Sequence, residues 1–248
     1  SANRALKMAK GEIIIRMDAD DAMTPNRVEE RVKYLESHEE VTMVSCDATI
    51  INEDGEKVGT QVMPNYDDVE DSYKMRETDA LVICAHTGFA AYKKAFDEVG
   101  GYNENIRCVV DLDLFTRMIE KGNVLIIMRQ FLTKYRIYPA SVVGKGAKNF
   151  LLQNTEAYVL DSMRRRRRGE AELSFDEFLK ELDAEPFFKK LKRKRKYYAY
   201  YYYRNAMQSF GLKNYPKTLY LLSLAFVLRP GSIAGKVIRQ LKRRMATS

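Results

Sequence analysis

A run of apolar, partly β-branched residues from Glu12 to Met17 ends abruptly in Asp18-Ala19-Asp20-Asp21. The run suits a buried strand. Three carboxylates in four residues cannot follow it into a core, so the chain must surface there. In an open α/β sheet, the carboxyl end of a strand is where a ligand site forms. Hard oxygen donors at that place suit Mg²⁺ or Mn²⁺, typically held by one or two carboxylates together with substrate phosphates. A solvated turn in which Asp21 caps the next helix accounts for the same residues without any function.

The flanking pattern supplies the fold class. Residues 3–10 read as the end of a helix closed by Gly11. Thr24-Pro25 is a helix-start signal, and the helix it opens runs to about His38 with Val28, Val32 and Leu35 on one face. Val41 to Ile51 and Lys57 to Met63, split by Glu53-Asp54-Gly55, read as a hairpin. Residues 65–80 are polar, as a loop or helix. Gly88 to Tyr92 reads as a strand, Lys94 to Val99 and Asp111 to Lys121 as helices ended by glycines, and Val124 to Ile137 as one long strand or two. Strands alternating with helices predict an α/β sandwich with a mostly parallel sheet. Beyond Gly146 only helix signals remain, which places a boundary near residue 150 and divides the chain into 1–149 and an α-helical 150–248.

Charge follows the same division. The 248 residues are 46% hydrophobic and 31% charged, which excludes a disordered chain or a polytopic membrane protein. From Arg164 onward there are 22 Lys and Arg against 7 Asp and Glu, leaving 20 against 27 in the residues before. An acidic body therefore carries a basic tail. The apolar stretch Leu219 to Leu228 is about half of the ~20 residues a membrane span needs, and no secretory leader pattern opens the sequence. The expected location is cytoplasmic, or peripheral at the inner face of the cell membrane. Cys46, Cys84 and Cys108 are too scattered for a zinc site or a disulfide framework.

The stretch GEIIIRMDADDAMTPNRVEERVKYLE resembles the segment around the DxD motif of the family 2 glycosyltransferases, inverting enzymes of the GT-A fold. The resemblance implies that Asp20 binds the divalent cation, Mn²⁺ or Mg²⁺, that bridges a nucleotide-sugar diphosphate. It places Asp18 near the nucleotide ribose and Asp21 in support of the turn. Asn3 matches the Asn of the family's RN-x-G helix, with Ala2 in place of the usual Arg. A second segment, GGYNENIRCVVDLDLFTRMIEKGN, resembles the family's Gly-Gly-Tyr loop and the ED-x-D-L-W helix head that follows it. Asp111 then corresponds to the general base, Val110 replaces its acidic neighbour, and Asp113 joins the substrate-binding set. By residue type alone, both carboxylates also suit a helix first turn, and Asp113 with Arg117 is an ordinary i,i+4 pair. His86 falls in a segment similar to the family's acceptor-side strand. Tyr135-Arg136-Ile137-Tyr138 matches the YR-x-H motif with Tyr138 for His, leaving Arg136 as the diphosphate contact.

Two separated carboxylate groups suit the chemistry so implied. Displacement at an anomeric carbon with inversion needs a base on the acceptor side and a cation on the departing diphosphate. The expected donor is a nucleotide sugar and the expected acceptor a saccharide or lipid-linked sugar. A complete domain of this type begins with a nucleotide-binding strand-helix unit, which the sequence is expected to lack before Ser1. In the tail, Arg164 to Arg168 and Lys189 to Lys196 lie near six tyrosines between Tyr197 and Tyr203. An anionic membrane surface is the preferred partner and nucleic acid the disfavoured one, with a solvated helical face as the structural alternative. The competing function is a basic membrane- or nucleic-acid-binding module whose catalytic body is incomplete and inactive.

Overall fold

The computed structural model describes residues 2–63, 66–137 and 150–236. Contacts divide the chain into two units, one holding residues up to 137 together with 150–176, the other holding 177–236 of the described residues. In chain order the first contains α1 (Ala2–Met8), β1 (Ile13–Ile15), β2 (Ala22–Met23), α2 (Arg27–Ser37), β3 (Met43–Ile51), β4 (Lys57–Gln61) and α3 (Val69–Glu77). It continues with β5 (Ala90–Tyr92), α4 (Lys93–Glu98), α5 (Val110–Glu120), β6 (Leu125–Arg136) and α6 (Phe150–Arg167). α7 (Phe175–Ala184) begins at its end, and α8 (Phe187–Gly211) and α9 (Tyr215–Leu228) belong to the second. α6 opens the region expected to be separate and helical, yet it packs against α5 and belongs with the first unit.

The six strands form one sheet in the order β1-β5-β3-β6-β2, with β4 beside β3. Its pairing is mixed rather than mostly parallel: β3 and β6 pair in parallel, and the other four pairings are antiparallel. Helices intervene between β1 and β3 and between β3 and β6, giving the long crossovers that parallel strands require, and these three strands run the same way. The short β2, β4 and β5 run against them, and β5 separates β1 from β3. Alternation along β3 and β6 sends Met43, Leu125 and Ile127 into one apolar cluster with Phe89, Phe115 and Met118. Val44, Cys46, Ile126 and Met128 enter a second cluster with Leu35. Burial on both faces explains why these strands read as continuous apolar runs. Between Cys46 and Ala48 the register jumps from Met128 to Thr133, so the single strand β6 bulges outward at Arg129 to Phe131.

The buried face of α2 differs from the expected one. Arg27, Arg31 and Leu35 point inward, while Val28 is 45% exposed. Arg27 donates to the backbone oxygens of Arg16 and Thr87, and Arg31 donates to Cys46 Sγ at 2.8 Å. Burial and the neighbouring Arg31 pull the Arg27 guanidinium down to about 10. Two hydrogen-bonded arginines thus take the helix face where apolar residues were expected.

One loop needs glycine at two successive positions. Gly100 and Gly101 have φ of 72° and 75°, and a Cβ on Gly101 would lie 2.7 Å from Asn3 Oδ1, whereas Gly100 has open space around it. Asn3 is itself fixed, because its amide nitrogen donates to Tyr102 O and its oxygen accepts from Tyr102 N, both at 2.8 Å. We expect Gly100→Ala to cost about 1 kcal/mol and Gly101→Ala about 2–3 kcal/mol, the first through left-handed backbone alone and the second through that plus the clash. Urea denaturation of the two variants checks the order; equal midpoints would show that the Asn3 clamp yields freely.

Candidate active site

β1 delivers Arg16 and then the acidic loop. The Arg16 guanidinium pairs with Asp18 Oδ1 at 2.8 Å, and the Asp18 amide donates to Thr87 Oγ1 at 3.2 Å. Asp20 is exposed at the tip. Asp21 is buried, and its Oδ1 accepts from the Arg136 amide at 2.8 Å. Burial pushes the Asp21 carboxyl up against the pull of Thr87 and that amide. The Arg136 side chain completes the brace: Nε donates to Asp20 O at 2.9 Å, and Nη1 donates to Asn52 O and Glu53 O at 2.8 and 2.7 Å. Arg136, expected as a diphosphate contact, therefore ties the acidic loop to the β3–β4 hairpin through backbone carbonyls. Tyr138 lies outside the described residues.

Asp111 stands at the start of α5, after a backbone anomaly. Val109 is the N-cap with φ 59° and ψ 22°, a left-handed conformation that costs a β-branched residue energy and no side-chain cap repays it. The turn leaves the Asp111 carboxyl half-buried, beside its own amide and that of Leu112. Burial raises its pKa above the ordinary carboxylate range; those amides and Arg16 oppose the rise, and Asp18 adds to it. Arg16 and Asp18 are thus near enough to influence the Asp111 carboxyl, which brings the end of β1 and the head of α5 into one neighbourhood. A carboxylate with raised basicity in such surroundings is suited to accept a proton.

His86 and Tyr102 join the same group. His86 Nε2 lies 3.0 Å from the Tyr102 hydroxyl, and the imidazole also packs edge-on to Phe115. Burial, reinforced by Arg16, draws His86 down to about 3, which keeps it neutral. Burial pushes the Tyr102 phenol up to about 12. Arg16 is thus the cation shared by Asp18, His86, Tyr102 and Asp111.

Asp113 does not belong to this group. Two residues on a helix are ~200° apart, so Asp111 and Asp113 face opposite ways. The Asp113 side chain is 2% exposed and accepts from Arg117 Nη2 and Nε at 2.6 and 2.9 Å. Arg117 in turn donates to Val99 O and Gly101 O at 2.6 and 2.9 Å. Its place is under the Gly-Gly loop, which it holds by way of Arg117, and it is a positioning residue rather than a substrate contact. Asn3 holds the same loop from the other side.

Arg16, Thr87 and Tyr102 are the site residues that sequence reasoning missed. For Tyr102 the signal was present, since it closes the Gly-Gly-Tyr motif. Among the described residues no group of three or more His, Cys, Asp or Glu side chains converges as a metal cage. A divalent cation here would rest on the exposed Asp20 carboxylate and on ligand phosphates, a donor set that suits Mg²⁺ or Mn²⁺.

The model of glycosyl transferase family 2 matches residues 1–100. An uncharacterized glycosyltransferase of Methanocaldococcus jannaschii is 27% identical over 141 residues, 55% of this chain and 46% of the relative. The putative glycosyltransferase EpsE of Bacillus subtilis is 29% identical over 124 residues, covering 49% and 42%. The amylovoran biosynthesis glycosyltransferase AmsE of Erwinia amylovora is 22% identical over 158 residues, covering 64% and 57%. The chain spans about half the length of these curated relatives. Among solved structures, the mannosyltransferase PcManGT from Pyrobaculum calidifontis, in complex with GDP-Man and Mn²⁺, aligns with 98% of this chain and 59% of its own at 16% identity and a TM-score of 0.42. S. aureus TarS 1-349 in complex with UDP aligns with 91% and 67% at 11% identity and a TM-score of 0.41.

The neutral His86 has a consequence for stability. Its folded pKa lies below the ordinary 6.5, so as pH falls below about 6.5 the unfolded chain binds a proton that the folded chain refuses until about pH 3. Stability attributable to His86 is therefore lost as pH falls through that window. We expect the His86→Gln variant to take up about one proton fewer than the wild type on unfolding at pH 4–5, read from the pH dependence of urea midpoints. Parallel slopes would show that the imidazole is already protonated in the fold.

Proposed function

We propose that this chain, whose residues 1–100 match glycosyl transferase family 2, transfers a sugar with inversion from a nucleotide-diphosphate donor to a saccharide or lipid-linked acceptor. The observation that carries the reading is the grouping of Asp18 and Asp111 about Arg16, which pairs with the first and acts on the second. Asp20 would hold Mn²⁺ or Mg²⁺ on the donor diphosphate, where the cation supplies charge neutralisation for the leaving group, with Asp18 near the nucleotide ribose. Asp111 would take the proton from the acceptor hydroxyl, and its raised pKa makes it the stronger base. Asp21 and Arg136 fix the loop that presents Asp20. His86, neutral and bonded to Tyr102, would offer a hydrogen bond to the acceptor without adding charge.

In the protein carrying this chain, Asp20→Asn is expected to abolish cation-dependent transfer while the fold persists. Asp111→Asn is expected to lower kcat by about 10² or more with donor affinity nearly unchanged, because a general base does not hold the nucleotide. The base must be ionised, so the wild-type rate is expected to fall on the acid side as Asp111 protonates, at a midpoint above the ordinary carboxylate range. Full activity of Asp20→Asn, or a loss in Asp111→Asn confined to donor KM, would contradict these assignments.

The basic tail needs a narrower reading than its sequence gives. All five arginines of 164–168 pair with carboxylates: Arg164 with Asp79, Arg165 with Asp161, Arg166 with Glu120 and Glu172, Arg167 with Glu120 and Arg168 with Glu170. In the second unit, by contrast, Lys192, Lys194 and Lys196 are exposed on α8. Phe187, Leu191 and Tyr198 lie at the spacing that shares a face with Lys194, and all three are exposed. On α9, Leu219, Tyr220, Phe226 and Val227 are between 50% and 76% exposed. No helix among the described residues is long and apolar enough to cross a membrane. Exposed apolar side chains beside lysines suit a helical pair lying in an anionic lipid interface. We expect flotation with anionic vesicles at low salt, loss of flotation at high salt, and release by Lys192→Gln with Lys194→Gln and Lys196→Gln. Flotation indifferent to lipid charge would assign the attachment to the apolar residues alone.

A further inference from the structure

A cavity of about 610 Å³ lies on the far side of the Gly-Gly-Tyr loop, within the first unit. Its size falls in the range of small-molecule sites. One wall is the loop itself, Val99 to Asn103 with Asn105; the other is formed by Tyr158 of α6 and by residues 172–176 leading into α7. None of the residues assigned to donor, cation or base lines it.

The chemistry of the lining selects a ligand class. Its cation, Arg117, is already bonded to Asp113 and to two carbonyl oxygens of the loop. Of its carboxylates, Glu172 carries Arg166 and Asp176 is exposed at the rim. No positive charge remains there to compensate a phosphate, so a nucleotide or phosphorylated ligand is disfavoured. What the walls offer is the partly exposed ring of Phe175, with Tyr102 and Tyr158 largely buried behind the surface, together with amides from Asn103 and Asn105 and the Asp176 carboxylate. Tyr158 meets Phe175 edge to face at 5.3 Å and so fixes the orientation of the Phe175 ring. A pyranose presents the complement: weakly positive C–H faces for the ring and a rim of hydroxyls for amides and carboxylate.

Position then assigns the ligand to one side of the reaction. Tyr102 lines the cavity, and its hydroxyl bonds to His86 in the candidate site. The cavity and His86 therefore meet at the same loop, which Asn3 and Arg117 hydrogen-bond. We propose that this cavity is a subsite for an uncharged sugar unit of the acceptor, one that lies beyond the unit bearing the reacting hydroxyl. This rests on the transferase reading above.

The test uses the intact chain and backbone-amide NMR, with the methyl glycosides of glucose, galactose, mannose and N-acetylglucosamine as probes. Each is added at about 20 mM, enough to populate a site of millimolar Kd. We expect at least one glycoside to shift the Gly100, Asn105 and Ser174 amides, and Phe175→Ala and Asp176→Asn each to weaken that binding at least fivefold, the second with Tm nearly unchanged. UDP or GDP with Mn²⁺ is expected to move the Asp18 to Asp21 amides instead. Glycoside shifts absent from the cavity, or unaffected by either substitution, would overturn the subsite. Nucleotide that leaves the acidic loop unmoved while glycosides still occupy the cavity would overturn the donor assignment and leave a sugar-binding site.

Discussion

Asp18 and Asp111 repel each other, and Arg16 offsets that repulsion. Arg16 pairs with Asp18 and also lowers the cost of ionising Asp111, which burial and Asp18 both raise. Arg16 is held from behind, because Arg27 donates to its backbone oxygen and to that of Thr87. Removing the buried Arg27 would leave those carbonyls without their donor and loosen the strand end that sets Arg16 in place. The buried arginine on α2 is thus a structural precondition of the site even though it touches none of the reacting groups.

The remaining braces act on loops. Arg136 reads three carbonyl oxygens on two segments and lends its amide to Asp21, so the acidic turn is fixed to the hairpin beside it. Asp113, Arg117 and Asn3 perform the same service for the Gly-Gly-Tyr loop. Each site residue therefore comes with a partner that orients it, and several of those partners are charged residues whose charge is used inside the protein. The arginine run 164–168 follows the same rule.

Most elements were legible from the sequence because periodicity and glycine punctuation were strong. The hairpin at 53–55, the helices ending at Gly100 and Gly122, and the long β6 follow from local signals. Sheet direction was less legible: alternation of strands and helices gives β1, β3 and β6 a common direction, but nothing local shows that three-residue β5 inserts between two of them. The inward face of α2 was misassigned because pattern reading sends valine in and arginine out, and only tertiary hydrogen bonds reverse that. In the site, acidic residues after a strand were visible as a cluster, but the partition of roles was not. Asp111 and Asp113 look equivalent in a first turn until the Arg117 contact separates them. Arg16 was invisible as a site residue because a basic residue at a strand end has no distinguishing local signal.

In the proposed arrangement, a base on the α5 side and a cation on the acidic-loop side act on opposite faces of one sugar. The anomeric configuration of the released sugar tests it most directly and needs no knowledge of the acceptor. When the protein carrying this chain hydrolyses an α-linked nucleotide sugar in the presence of Mn²⁺, proton NMR recorded before mutarotation reads the first-formed anomer. Direct displacement by water predicts the β-anomer. First formation of the α-anomer would contradict the assignment, because net retention requires either a second displacement through a protein nucleophile or delivery of water on the leaving-group face, and the proposed base stands on the opposite face.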